Sequence, residues 1–369
     1  MNTKTMFENP DQRLVCVDAL RGFDMLWIIG GSEVLITLAK ATGIGFLSNI
    51  SVHFDHSWGQ FHFYDLIQPL FLFIVGVVMP VSFRKRIARG ETKKKLYAHV
   101  MKRVLVLYIL GLISSGHLLS FDLSKMHLIT NVLHVIAVGY LVCSVLILEL
   151  NIKWQIGITA ALLFLYWAIM ALIPVPGFGA GIYKPDINLA LWIDNAVLGH
   201  FQEGEGWTYI ISNITFIPSI MLGVFAGNIL QSTRDEMKKA RMLALIGISC
   251  IIAGRIWGIW FPIIHHIWTS SLVLYGAGLS FLLLTLFYLV IDVWGFKKWS
   301  FPFVVIGMNA IAVYVATHLF DFTLIGNIFV GGLEKWIGSW FDFVQASAAL
   351  AVVWLILYWM YHKKIFIKI

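Results

Sequence analysis

Residues 53–80 read HFDHSWGQFHFYDLIQPLFLFIVGVVMP. Three histidines and two aspartates stand directly before a run that is apolar almost without a break. About 20 apolar residues in helical conformation cross a bilayer. The stretch therefore reads as an ionisable loop leading into a membrane span. Pro69 falls within the first turn of that span, where a missing N–H does no harm.

Working outward, the pattern repeats along the whole chain of 369 residues. It is 59% hydrophobic and 13% charged, with a mean hydropathy of +0.82, whereas soluble domains carry about 25% charged residues. Ten spans are expected, near 22–40, 64–83, 103–120, 128–149, 154–174, 209–231, 241–261, 267–291, 300–320 and 343–362. The expected fold is an all-α integral membrane bundle of about ten transmembrane helices, forming a single polytopic domain over 1–369. The polar start lacks the basic, short-apolar and small-residue succession of a signal peptide, so the first apolar run is expected to stay as a helix.

Orientation follows from lysine and arginine. RKRIARGETKKKLYAHVMKR, after the second span, holds nine of them, STRDEMKKAR holds four and the tail HKKIFIKI three. With both termini cytoplasmic, 22 of the 27 basic residues fall inside. This predicts an N-in, C-in chain. The net charge of +7 is then a topology signal, and no nucleic acid is expected as a partner, because no soluble basic face exists to hold a duplex. Cys143 and Cys250 lie in apolar spans and Cys16 on the cytoplasmic side, so no disulfide framework is implied. The loop 175–208 is long enough to carry a short amphipathic helix, INLALWIDNAVLGHF, at the interface.

This topology puts nine histidines (53, 56, 62, 117, 127, 200, 265, 266 and 318) in outer loops or at outer span ends. Histidine titrates near neutrality and serves as acid, base or ligand. Most interfacial histidines do none of these. His56, nine residues before Asp65, offers more: a carboxylate can fix the tautomer of a basic imidazole. Asp65 also suits a helix start, where it would satisfy free amides, and the two roles are compatible. A metal held by His53-x-x-His56, His62 and His265–His266 is the competing reading. The spacing matches no specific zinc pattern, and no metal is expected. Ionisable or amide groups within spans, Asp24, Glu33 and Asn309, mark a pathway or site by default, and Glu33 and Asn309 should face the bundle interior. Arg255 can snorkel.

These residues fall into motifs that resemble a known family, the transmembrane acetyltransferases typified by heparan-α-glucosaminide N-acetyltransferase. RLVCVDALRGFDMLWII at 13–29 is similar to its R-x-x-S-x-D-x-x-R-G opening, with Cys16 in place of Ser. FHFYDLIQPLFLFIVGVVMP at 61–80, YIISNITFIPSIMLGVFAGNIL, WFPIIHHIWTSSLVLYGAGLS, DVWGF and GMNAIAVYV at 307–315 resemble later segments, in the family's order. The resemblance implies a bacterial-type homologue, expected in the inner membrane, that moves acetyl from cytosolic acetyl-CoA to a sugar amine or hydroxyl on the outer side. The family's histidine maps to His56 and its aspartate to Asp65. Three departures stand out. The family spaces H-x-x-W with Asp ten after His, and here H-S-W leaves nine. NVLHVIAVGY puts His134 and Val135 where the family has Gln and Arg. FPIIHHIW puts His265 and His266 where it has Asn and Lys.

Within that reading, Arg84, Arg86, Lys102 and Arg103 are expected to meet the phosphates of acetyl-CoA, although positive-inside bias alone accounts for a basic loop. His56 is general base or acetyl carrier. Asn309, Trp268 and Ser270 are candidate oxyanion donors, with packing or interfacial anchoring as the other reading of each. Acetyl-CoA, a sugar or glycan acceptor and the bilayer are the expected partners, and a homodimer stays open. The rival function is a transporter or permease for a small polar solute, yet no inverted pair of Gly/Pro-broken spans marks one. A membrane scaffold would need none of the buried polar groups.

Overall fold

The computed structural model describes residues 14–129, 131–202 and 209–367. Arg13 of the opening motif and part of the 175–208 loop lie outside the described residues. Among those described the chain is helical and forms no strand; isolated bridges join Val175 to Gly179 and Tyr183 to Asn188. Among the described residues nine helical segments are long and apolar enough to cross a membrane, and a tenth candidate is a bent pair. The chain is an all-α polytopic membrane protein.

The helices are α1 (Val15–Leu26), α2 (Ser32–Thr42), α3 (Gly45–Ser51), α4 (Ile67–Ala88), α5 (Lys93–Ser114), α6 (Val132–Glu149), α7 (Ile152–Leu172), α8 (Leu189–Leu198) and α9 (Asn213–Leu230). They continue as α10 (Glu236–Trp257), α11 (Ser270–Phe287), α12 (Phe301–Gly307), α13 (Ala310–Leu319), α14 (Phe322–Val330), α15 (Glu334–Ile337) and α16 (Phe341–His362). The expected interfacial segment forms α8. The expected ninth span is broken: α12 and α13 meet at 60°. Local chemistry starts many of these helices. Asn131 accepts from the amides of Leu133 and His134, Asn151 from Lys153 and Trp154, and Asn188 from Leu191, each supplying partners that a helix start otherwise lacks.

The residues cluster into two compact units. The first comprises Trp58–Phe61 and Gln68–Leu289 of the described chain, with α4 and α9 its most buried helices. These two touch through glycine. A Cβ on Gly76 would stand 1.9 Å from the carbonyl oxygen of Ile220, and one on Gly223 2.0 Å from that of Phe73. With lipid outside, helices gain little from apolar burial against one another and associate through such close backbone packing. His134 is packed in a similar notch: its ring lies over Gly111, and its Nε2 sits 3.1 Å from the Tyr108 carbonyl.

The second unit comprises Leu14–Ser57, His62–Ile67 and, of the described chain, the residues from Val290 onward. Here α1 packs on α12, with Gly22 of the opening motif against the Phe303 carbonyl. Asp18 and Arg21 of the same motif pair at 3.6 Å. The Cys16 amide donates to Asp292, the first residue of DVWGF, at 3.2 Å. Two motifs distant in sequence are thus held together. Between α1 and α2 a π-helical turn, Trp27–Gly31, contains Gly30 at φ 130°. This turn rotates α2 relative to α1, and Glu33, expected inside, is exposed. The expectation fails because a π turn adds a residue to the helical repeat and shifts the faces beyond it.

Candidate active site

Asp65 lies in the 3₁₀ turn Tyr64–Leu66 that feeds α4. Its Oδ2 accepts from the His62 amide at 2.8 Å, a side chain reaching back three residues as in a capping box. Its Oδ1 lies 2.6 Å from His56 Nδ1. One carboxylate therefore makes both contacts the sequence allowed. It closes the helix start and holds the imidazole.

His56 reaches Asp65 because the loop between them reverses. Gly59, at φ +77°, turns the chain in a conformation that residues with a Cβ rarely adopt. Upstream, the His56 amide donates to Asp55 Oδ1 at 2.9 Å, and the His62 ring Nδ1 sits 2.9 Å from the Asp55 carbonyl. Asp55 shapes the loop from its backbone and carboxylate; His62 buttresses it and does not take the ring position beside Asp65. The nine-residue spacing is accommodated in this way.

The Tyr64 ring packs on the His56 ring, 5.0 Å between centroids. Sequence reasoning missed Tyr64, because an aromatic at a membrane boundary is ordinary in composition. Asp24 is fully buried in α1, and neither carboxylate oxygen has a hydrogen-bond partner among the described residues. The sequence singled out Asp24 as an acid inside a span but gave it no role.

Asn309 stands at the break between α12 and α13, with both halves of its amide engaged by the chain after α16. Its Nδ2 donates to the Ile365 carbonyl at 3.1 Å, and its Oδ1 accepts from the Ile367 amide at 2.9 Å. Trp268 is fully buried and donates to Ser219 at 3.0 Å. Ser270 donates to the Leu163 carbonyl at 2.7 Å. All three candidate oxyanion donors thus have their donor group engaged. His265 is buried near Trp268, 5.2 Å between rings, while His266 stacks on Trp58 at 4.9 Å. Trp58 is fixed by donating to the Tyr183 carbonyl at 2.8 Å.

At the basic-loop ends of α4 and α5, Arg86 is forked onto Glu91 at 3.1 and 3.2 Å and lies 3.0 Å from His99 Nε2. Lys102 is exposed. The Arg103 guanidinium lies over the Tyr140 ring, 4.4 Å from its centroid. Arg84 donates to Gln231 at 2.6 Å and Asn228 at 2.8 Å.

A polytopic helical membrane protein with a carboxylate-held histidine at the start of an apolar span is the class that this geometry defines. Residues 13–256 match the family model described as heparan-alpha-glucosaminide N-acetyltransferase, catalytic, and the chain belongs to that family. It is 27% identical to the heparan-alpha-glucosaminide N-acetyltransferase of Mus musculus over 97% of this chain and 60% of that protein. It is 27% identical to the Homo sapiens protein of the same name over 86% of this chain and 56% of that protein. The chain thus spans somewhat more than half the length of these curated relatives.

Proposed function

We propose that the chain is a transmembrane acetyltransferase that takes acetyl from cytosolic acetyl-CoA and transfers it to a sugar amine or hydroxyl on the outer side of the membrane. The observation that carries this reading is the His56–Asp65 pair, 2.6 Å apart, in a chain of this family.

With Asp65 ionised, His56 donates from Nδ1, and the basic lone pair is then on Nε2. In direct transfer Nε2 removes the proton as the acceptor nitrogen or oxygen attacks the thioester carbonyl. The new bond to carbon forms, the C–S bond breaks, and the thiolate leaves with the proton that the imidazolium returns. In the two-step form Nε2 itself attacks, the C–S bond breaks and CoA leaves as thiolate; the acceptor then attacks the acetyl carbon, the N–C bond to the ring breaks, and the acceptor's proton passes to the thiolate or to water. Asp65 supports both, since each passes through a positively charged ring. Acetyl-CoA supplies the activated acyl group. Arg86, Lys102 and Arg103 are proposed to meet its phosphates, and of these Arg103 is the one stacked on a neighbouring helix.

The test is acceptor-dependent release of CoA thiol by the purified chain, with a panel of amino sugars and neutral sugars. Release together with acetylated sugar supports the reading. Solute exchange across proteoliposomes without any acetyl transfer would replace it with transport.

A further inference from the structure

Within the first unit, the basic-loop ends of α4, α6, α7 and α9 enclose a groove of about 470 Å³. Its walls are apolar, with Phe83 and Ile87 from α4, Ile147 from α6 and Ile152 from α7. Ile87 and Ile152 expose 53% and 46% of their surface, so the groove opens sideways where apolar side chains are uncovered.

Two polar features stand in this apolar frame. Arg84 lines the groove, and the partners of its guanidinium, Gln231 and Asn228, are neutral amides. No carboxylate among the described residues pairs with it. Gln155 also lines the groove and is 6% exposed. Its Nε2 donates to the Leu146 and Leu150 carbonyls, while its Oε1 has no partner among the described residues. A buried acceptor of this kind calls for a donor. Trp154 and Lys153, in the first turn of α7, are residue types that settle at head-group depth. Arg84 lines the groove together with Ile152 of that same turn, a depth at which lipid phosphates are expected.

We propose that this groove binds an anionic phospholipid whose head group carries a hydroxyl, such as phosphatidylglycerol. Arg84 meets the phosphate, Gln155 Oε1 accepts from the head-group hydroxyl, and an acyl chain lies along Ile87 and Ile152. Charge complementarity selects the occupant: an arginine with no carboxylate partner among the described residues, beside a basic loop, attracts anionic lipid, and the open apolar flank suits an acyl chain. The inference does not rest on the acetyltransferase reading, and it assigns Arg84 to a lipid in place of the CoA phosphates expected from the sequence.

The purified full chain in detergent is titrated with dioleoyl phosphatidylglycerol and, separately, with dioleoyl phosphatidylcholine, and retained lipid is read by native mass spectrometry. Phosphatidylglycerol should be held more tightly, because choline offers no hydroxyl and its lipid no net charge. Arg84→Ala should weaken its retention about tenfold or more. Arg84→Gln, which removes the charge but keeps N–H donors towards Gln231 and Asn228, should do the same with the melting temperature held. Gln155→Leu should reduce the preference between the two lipids. Arg89→Ala, a cation of the same loop that does not line the groove, should leave retention unchanged. Equal losses in the Arg84 and Arg89 variants would reduce the effect to diffuse attraction and overturn the site. Displacement of the lipid by CoA would also overturn it, by assigning the groove to the acetyl donor.

Discussion

His56 Nδ1 lies 2.6 Å from Asp65 Oδ1, and the two side chains differ in exposure: 39% for the imidazole and 1% for the carboxylate. The buried partner holds, and the exposed partner is the one that a substrate can reach. A carboxylate shielded from water interacts more strongly with a ring that becomes positive, and its second oxygen is anchored on the His62 amide. The ring therefore has a fixed direction even though it is partly exposed.

His56→Ala should lower acetyl transfer by about 10²–10⁴-fold if the imidazole is a base, and abolish it if the imidazole carries the acetyl group. CoA binding should persist in both cases. Asp65→Asn should lose much of the activity, because an amide can donate to Nδ1 and favour the wrong tautomer. His62→Ala should be milder. Transfer assays of the three variants in detergent check this, and an inactive His62→Ala beside an active His56→Ala would move the catalytic role to His62.

Arg103→Ala should weaken CoA binding by about 1.5–3 kcal/mol, the range for a hydrogen bond to a charged group, with the helix content unchanged. Arg103→Lys should recover part of the loss, keeping charge but not the planar stacking on Tyr140. Titration with CoA decides the matter, and unaltered affinity in both variants would leave Arg103 as a topology residue alone.

The two sides of the membrane can be told apart by reporter fusions after Gly90 and Ala190. The basic asymmetry predicts a cytoplasmic reporter at 90 and an outer one at 190. A cytoplasmic result at 190 would reverse the sidedness and remove the basis for a cytosolic donor.

Gly76→Ala should destabilise the first unit by about 1–3 kcal/mol, as overpacking does, since the new methyl would meet the Ile220 backbone. Gly157→Ala, in α7 with nothing within 4 Å of its Cβ position, should be neutral or slightly stabilising, as expected from helix propensity. Thermal melting in one detergent compares the pair, and equal melting temperatures would show that the α4–α9 backbones separate readily.

Asp194, on α8, accepts from the Ile210 amide at 3.0 Å. Burial raises its pKa from the ordinary 3.8 to about 7, with that hydrogen bond opposing the rise. The folded chain thus holds this proton more tightly than the unfolded chain. The stability so contributed is complete below pH 3.8 and is lost as pH rises through about 7. Stability should therefore decline between these values, by linkage. Asp194→Asn, neutral throughout and still able to accept from Ile210, should flatten that part of the profile. An identical slope in the variant would place the titrating group elsewhere.

The sequence by itself determined the spans, because each apolar run can lie in a bilayer only as a helix with its backbone groups paired within the segment. It determined many helix starts, because Asn131, Asn151 and Asn188 act on amides two or three residues away. It also singled out His56 and Asp65, through chemistry and family resemblance. It did not show that His56, His62 and Asp55 form one bonded loop, since that depends on how the turn at Gly59 closes. The exposure of Glu33 follows from a π turn that hydropathy does not register. The engagement of Asn309 by Ile365 and Ile367 joins residues more than fifty positions apart. Arg86 is forked onto Glu91, and Arg84 stands beside a groove with neutral amides as its partners among the described residues, although both read alike as members of one basic loop. Hydropathy is a property of each segment along the chain, and it fixes where helices lie. Which polar groups meet depends on helix rotation and backbone approach, set by packing between residues far apart in sequence, and this only the tertiary structure decided.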